Sequence, residues 1–361
     1  MCIDLARRKQ NDTLLPFRRH GVMTDLGTFG GPNSIPAFAP PNETGEIGGG
    51  AETSTPDPNG EDVCLFQTHL ICLPFVVQQG VMTVLPTLGG NNGFANQVNN
   101  RGQVAGAAET ETLVPPCVSG LATPVVWYKG SIQELPLFPA DLAGVALAIN
   151  DKGEAAGFTA SCAGGHALMW QNGTAIDLGS LGGSFGIANA INNQGKVVGN
   201  SNLPGDATSH AFLWHSGVMA DLGVLPGDFG SVALGINDED QVVGDSADEN
   251  GEHPFLWQNG VMTNLNDLIP VTSPLFLIHA NGINSRGEIS GLAFDTNSGE
   301  LRGYLAIPSD DSAKGDNAMI EAQGGRGGSR KVILPPNLRK LIRRQLGRYH
   351  NLPHIRTLPP D

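Results

Sequence analysis

Long apolar runs are missing from this sequence. No stretch approaches the roughly 18 residues that a membrane-spanning helix needs, and residues 1–21 carry no apolar segment of the length an export signal uses. The chain as written is therefore expected to be soluble, with no transmembrane segment. Aromatic residues make up only 6%, which points to a chain of many turns. Basic residues are scarce through the middle: residues 21 to 309 hold 6 Lys and Arg against 28 Asp and Glu. An acidic body of this kind repels nucleic acid and anionic lipid, which removes polyanions from its expected partners. None of Cys64, Cys72, Cys117 and Cys162 stands in a CxxC pair, the spacing typical of zinc and redox sites.

What is abundant is turn-forming. There are 49 Gly and 25 Pro, with 40% apolar residues, a composition that favours many short strands over long helices. An internal repeat organises them. An Asn-x-x-Gly turn recurs at Asn42, Asn99, Asn150, Asn192, Asn237 and Asn284, with Asp240 in the glycine position of the fifth unit. Seven residues after each asparagine stands a glycine: Gly49, Gly106, Gly157, Gly199, Gly244 and Gly291. Each unit reads as four strands. Strand a is small and apolar, strand b is of the GxVVG kind, strand c ends in Trp127, Trp170, Trp214 or Trp257 in four units, and strand d resembles GVMxDL. Tight turns between a and b and between c and d require antiparallel neighbours.

Four antiparallel strands in six successive units predict an all-β fold, a six-bladed β-propeller. An extra strand d at Gly21 to Leu26 precedes the first unit, while the sixth unit stops after strand c near Ile307. The N-terminal strand is thus expected to join the last blade and close the ring. The domains expected are a basic extension over 1–20, the propeller over 21–309, and a basic tail over 310–361. In the tail Leu338, Leu341, Ile342 and Leu346 follow helical spacing between basic residues, which predicts a short amphipathic helix that docks on the acidic body, binds an anionic surface or stays loosely ordered. The long b–c and d–a connections fall on one face of the disc, including Ala51 to Ile71, Ala107 to Ala122, Asn200 to Ser209 and Asp245 to Glu252. A protein or glycan partner is expected on that face, bound by a monomer.

These motifs resemble the HAF-repeat family of bacterial repeat proteins described as extracellular. The resemblance rests on His210-Ala211-Phe212, its looser copies His166-Ala167-Leu168 and His253-Pro254-Phe255, and the flanking Asp177 to Gly183. It implies an exported protein at or outside the cell surface and assigns no reaction. The first unit departs from the family at Pro41-Asn42, and the sixth carries Arg302-Gly303-Tyr304 in place of His-Ala-Phe.

Candidate sites are few. His166, His210 and His253 begin strand c, too far from the axis to share one ion, and read as caps of that strand. Along strand a the one ionisable side chain is His279, while Asn96, Asn189 and Asn281 occupy one position in alternate units. These four residues are the candidate ligand-binding set around the axial channel. Asp245, Asp248, Glu249, Asn250 and Glu252 form an acidic b–c connection whose spacing fits no Ca²⁺ loop, so a solvated loop is expected and no metal or cofactor is assigned. Four cysteines allow three pairings, of which Cys64 with Cys72 and Cys117 with Cys162 need the shortest reach; disulfides fit an oxidising compartment. The function expected is a non-catalytic binding scaffold, its alternative a hydrolase or lyase acting on a carbohydrate or ester in the channel.

Overall fold

The computed structural model describes residues 17–19, 22–37, 39–112, 122–270 and 272–308. The expected tail helix and Cys117 lie outside these residues. A hairpin of β1 (Phe17–Arg19) and β2 (Val22–Thr24) comes first. Blade 1 is β3 (Gly30–Pro36), β4 (Ile47–Pro56), β5 (Leu70–Gln78) and β6 (Val81–Val84); blade 2 is β7 (Gly89–Val98), β8 (Val104–Thr110), β9 (Thr123–Tyr128) and β10 (Ser131–Glu134). Blade 3 is β11 (Ala143–Ile149), β12 (Ala155–Ser161), β13 (Gly164–Gln171) and β14 (Thr174–Asp177). Blade 4 is β15 (Gly186–Ile191), β16 (Val197–Asn202), β17 (Ser209–His215) and β18 (Val218–Gly223). Blade 5 is β19 (Gly230–Ile236), β20 (Val242–Asp248), β21 (Gly251–Gln258) and β22 (Val261–Asn264); blade 6 is β23 (Leu275–Ile283), β24 (Ile289–Asp295) and β25 (Glu300–Ala306). Each sheet is an antiparallel meander in chain order, with four strands in blades 1 to 5 and three in blade 6. No α-helix occurs among the described residues, and no helix there is long and apolar enough to cross a membrane.

The c–d connections are two-residue turns with both central residues at positive φ, as in Lys129 (φ 51°) with Gly130 (φ 79°) and Asn172 (φ 52°) with Gly173 (φ 77°). Such turns carry the twist of the flanking strands and hold them in register. The a–b turns obey a second rule. In all six units the marker asparagine accepts, through Oδ1, the backbone N–H groups two and four residues on, as Asn192 does from Gln194 (3.0 Å) and Lys196 (2.9 Å). Asp240 adopts the left-handed φ of 61° that glycine takes in other units.

The same asparagines tie blade to blade. Nδ2 of Asn42 donates to the carbonyl of Asn99, Asn99 to that of Asn150, Asn150 to Asn192, Asn192 to Asn237, and Asn237 to Asn284, at 2.7 to 3.1 Å. Beside this belt runs a second. The backbone N–H of Glu43, Asn100, Asp151 and Asn193 each meets the side-chain oxygen of Asn100, Asp151, Asn193 and Asp238 in the following blade. Between the belts and the rim, small apolar cores fill the gaps between neighbouring blades, as where Ala156, Ala167 and Met169 of blade 3 pack with Ala188, Val197 and Phe212 of blade 4.

The repeated glycine has its own cause. Strand a bulges in blades 2 to 6, and next to the bulge a strand-a carbonyl presses on the glycine in strand b. A Cβ on Gly199 would stand 1.8 Å from the Ile187 carbonyl oxygen, and one on Gly244 2.0 Å from that of Val232.

Two differences from the sequence reading concern boundaries. Strand b runs past its glycine by several residues, so that Pro56 still belongs to β4 and Asp248 to β20; the open connections are correspondingly shorter. At the seam, β2 pairs with β1, with Val22 opposite Arg19, whereas residues 21 to 26 were expected to pair with the last blade.

Asn192→Ala is expected to cost about 3 kcal/mol, because it removes two turn bonds and a buried inter-blade bond together. Gly199→Ala is expected to cost at least as much by displacing the strand-a carbonyl. Urea denaturation of each variant beside a surface control such as Val218→Thr checks both.

Candidate functional site

On the face where the b–c and d–a connections emerge, blades 1 and 2 part to leave a cleft of about 340 Å³. Asn59 and Glu61 of the first b–c loop form one wall, and Gly90, Asn91, Glu109, Thr110 and Thr123 of blade 2 the other. Two of the four connections singled out in the sequence therefore meet here.

Its foundation is Asn92, 1% exposed. Nδ2 of Asn92 donates to Asp57 at 2.8 Å and to Glu109 at 3.0 Å, while its Oδ1 accepts the backbone N–H of Cys72 at 2.8 Å. Asp57 caps the loop by accepting the N–H groups of Asn59 and Glu61. Glu109 accepts from the N–H groups of Asn91 and Asn92, so its charge is held by backbone dipoles. Beside it, burial pushes the Glu61 carboxyl up to about 7, and the negative charge of Glu109 adds to the rise. Glu61 Oε2 is a buried oxygen with no hydrogen-bond partner. The cleft thus presents oxygen acceptors from both walls and suits a ligand rich in hydrogen-bond donors.

A covalent clip restrains the loop that carries Glu61. Cys64 and Cys72 form the expected disulfide, with Cα atoms 5.6 Å apart. Within the clipped segment Leu65, Gln67 and His69 all adopt φ between 54° and 61°, a conformation that L-residues keep only where surrounding contacts enforce it. Asp62 supplies some of these contacts by accepting the N–H groups of Phe66 and Gln67. Cys162 is also disulfide-bonded.

The channel candidates lie apart from this cleft. Asn96 and Asn189 occupy the bulge positions of β7 and β15, and their amides donate to the carbonyls of Ala146 and Ala233 in the next blade at 3.0 and 2.9 Å. Those carbonyls themselves border bulges in β11 and β19, so each asparagine serves a backbone group next to a break in the ladder. Asn281 holds the same bulge position in β23 and hydrogen-bonds to His279. His279 is buried and its Nδ1 contacts Asp245 of blade 5. Burial alone lowers the affinity of the imidazole for a proton, but the charge of Asp245 and its hydrogen bond outweigh it, so the pKa is raised.

Asp245 requires a correction. The sequence reading put it in a solvated acidic loop, yet it lies inside β20, 3% exposed, and also accepts the N–H of Ala280. Treating the glycine of GxVVG as the end of strand b hid this. The strand-c histidines each hold an aspartate through Nδ1: His166 with Asp141 at 2.9 Å, His210 with Asp221 at 2.9 Å, and His253 with Asp228 at 3.0 Å. The Asn92–Glu109 hub was not found from the sequence; the signal available was its recurrence, since Asn33 and Glu52 hold the equivalent positions of blade 1 and are hydrogen-bonded at 2.7 Å.

No protein-family model matches the chain, and no curated protein does. Among solved structures it is similar to the β-propeller domain of the trilobed protease from Pyrococcus furiosus (10% identity, TM-score 0.40, over 61% of this chain and 63% of that one). It is also similar to an acylaminoacyl peptidase from Pyrococcus horikoshii (11%, TM-score 0.46, 76% and 45%) and to TolB from Acinetobacter baumannii (12%, TM-score 0.42, 63% and 52%). With TM-scores below 0.5 and identities of 10 to 12%, these similarities carry no argument about this chain.

Because the folded protein holds the Glu61 proton more tightly than the unfolded chain, stability conferred by protonation is greatest below about pH 4.5 and declines as pH rises toward about 7. Glu61→Gln should flatten that part of the stability profile, measured by thermal melts from pH 4 to 8.5. An unchanged slope would show that Glu61 titrates normally.

Proposed function

We propose that this protein is a non-catalytic binding scaffold, exported from the cell, that uses the cleft between blades 1 and 2 to hold a basic segment of a partner protein. The observation that carries the reading is the pairing of Glu61 and Glu109 in a cleft on the long-connection face, with Glu61 Oε2 lacking any internal hydrogen bond. A lysine or arginine side chain supplies the positive charge and the N–H groups that these oxygens accept. The acidic body adds a long-range field that draws such a partner in. Export is supported by the Cys64–Cys72 disulfide and the bonded Cys162, since structural disulfides persist in oxidising compartments.

The scaffold is proposed to be a closed six-bladed ring. Asn42 and Asn284, the two ends of the asparagine belt, are half-buried, whereas the four between them are buried. A sixth bond from Asn284 to the Asn42 carbonyl, with residues 21 to 26 as the fourth strand of blade 6, completes both the belt and the sheet. Against the alternative of a hydrolase or lyase in the axial channel stands the use of Asn96 and Asn189 for backbone carbonyls.

The binding reading is tested with an array of Lys- and Arg-containing peptides probed with the full chain. Binding should strengthen as pH rises through about 7, where Glu61 loses its proton, and should fall about tenfold or more in the Glu61→Gln/Glu109→Gln double variant. Equal binding to acidic and basic peptides would sink it. Reduction of the Cys64–Cys72 disulfide should weaken binding more than it lowers the melting temperature, because the loop is constrained outside the main cores.

A further inference from the structure

The interface between blades 5 and 6 breaks the repeat at three positions that meet in space. Opposite the start of each strand-b hairpin, strand a carries Ile35, Phe94, Val145, Ile187 and Val232 in the first five blades, and His279 in the sixth. The residue after the strand-b glycine is Gly50, Ala107, Phe158, Asn200 and Leu292 in five blades, and Asp245 in blade 5. Paired with that glycine in strand c stand Phe75, Val125, Leu168, Phe212 and Phe255, and in blade 6 Tyr304. Each departure replaces an uncharged or apolar filler with a group that can ligate. A protein interior tolerates such groups at a cost, and three of them converging at one interface point to a shared task.

Geometry supports this. Ligand atoms of His279, Asp245 and Glu252 all lie within 4.8 Å of one another. Glu252, from β21, shares the sheet face of Asp245, since Pro254 pairs with Asp245 and Glu252 stands two residues away. Tyr304, 9% exposed, has a buried hydroxyl with no hydrogen-bond partner. Its ring packs between blades 5 and 6 with Val243, Leu277 and Ala280, and burial, with the charge of Asp245 adding to it, holds the hydroxyl in the phenol form. A buried, unpaired phenol beside a carboxylate is an orphan in the chain as it stands, and a cation drawing the carboxylates together gives its oxygen a partner.

We propose that blades 5 and 6 are bridged by a divalent cation of the Zn²⁺ class, held by His279, Asp245 and Glu252 with the Tyr304 hydroxyl as a fourth donor. One imidazole nitrogen with carboxylate and phenol oxygens is a borderline donor set that suits Zn²⁺ or Mn²⁺ better than Ca²⁺, which prefers all-oxygen shells. The two carboxylates balance the charge of a divalent ion once the imidazole of His279 is neutral, so binding releases the proton that His279 shares with Asp245. With four protein donors the site is closed, and its role is to fasten the three-stranded blade 6 to blade 5. It is independent of the cleft between blades 1 and 2.

The test is metal content and thermal stability of the full chain, stripped with chelator and re-equilibrated with Zn²⁺. The expected result is one tightly held ion per chain and a higher melting temperature. His279→Gln and Glu252→Gln should each weaken binding at least tenfold. A second cluster, Asp228, Asp248 and His253, also brings ligand atoms within 4.8 Å, so His253→Gln is the control and should leave binding unchanged. Absence of stoichiometric binding overturns the proposal, as does loss of binding in His253→Gln with retention in His279→Gln. Should His279→Gln not fold, judged by circular dichroism, the Co²⁺-loaded wild type decides: Tyr304→Phe and Glu252→Gln must each alter its visible absorption, and unaltered spectra overturn the site.

Discussion

A single turn asparagine, repeated six times and buried in the four inner units, organises this protein. The side chain of the marker asparagine has one carbonyl and two N–H groups, and in four of the six units, Asn42, Asn99, Asn150 and Asn237, partners are found for all of them. The carbonyl closes the a–b turn of its own blade, as Asn150 does for Lys152 and Glu154, and one N–H crosses to the next blade, as from Asn150 to the Asn192 carbonyl. In five of the six units the second N–H meets a side chain four residues on, such as Gln103 or Glu154. No other residue type of that size serves both ends. Aspartate has no donor and serine is too short. Because each bond joins a turn to its neighbour, the shape of one blade is coupled to the seating of the next, and errors in one propagate.

From that constraint the rest follows by packing. Blades held at their inner turns have small gaps between them, and small residues fill these, which is why the chain has few aromatic residues and so many alanines and glycines. The bulge in strand a sets bulge residues of alternate blades, Asn96 and Asn189, where they serve the Ala146 and Ala233 carbonyls of the following blade. The strand-b glycine is the residue that lets the displaced carbonyl sit so close. Variation is left to the opposite face, where connections are not tied by the belt and differ from unit to unit.

Much of this was legible in the sequence, and for a physical reason. Turn asparagines, close-approach glycines and two-residue hairpins act locally, so their spacing in the chain shows directly; Asp240 in a left-handed turn was identified by position alone. What was not legible depended on contacts between units. The spacing of Asn42, Asn99 and Asn150 reveals a repeat but not that each donates to the next. Asp245 was misplaced because its burial depends on His279, 34 residues away and in another blade. Asn92 escaped notice because one polar residue in a Gly-rich segment looks like loop until Asp57, Glu109 and Cys72 are seen around it.

The repeat also indicates where to look for function. A unit copied six times solves the folding problem six times, so a polar group that appears in only one copy is not needed for the blade as such. Glu61, which sets a second carboxylate beside Glu109, is one such departure, and His279 with Asp245 and Tyr304 is another. Both lie between blades, where two independently varying surfaces face each other and a new pair of side chains can be introduced without disturbing either strand ladder. The first opens to solvent and can meet a partner; the second is closed and can only act on the fold itself. That division, an exposed polar interface proposed for recognition and a buried one proposed for cohesion, is compatible with the belt, which ties the six blades at five interfaces and leaves the remainder of each free to differ.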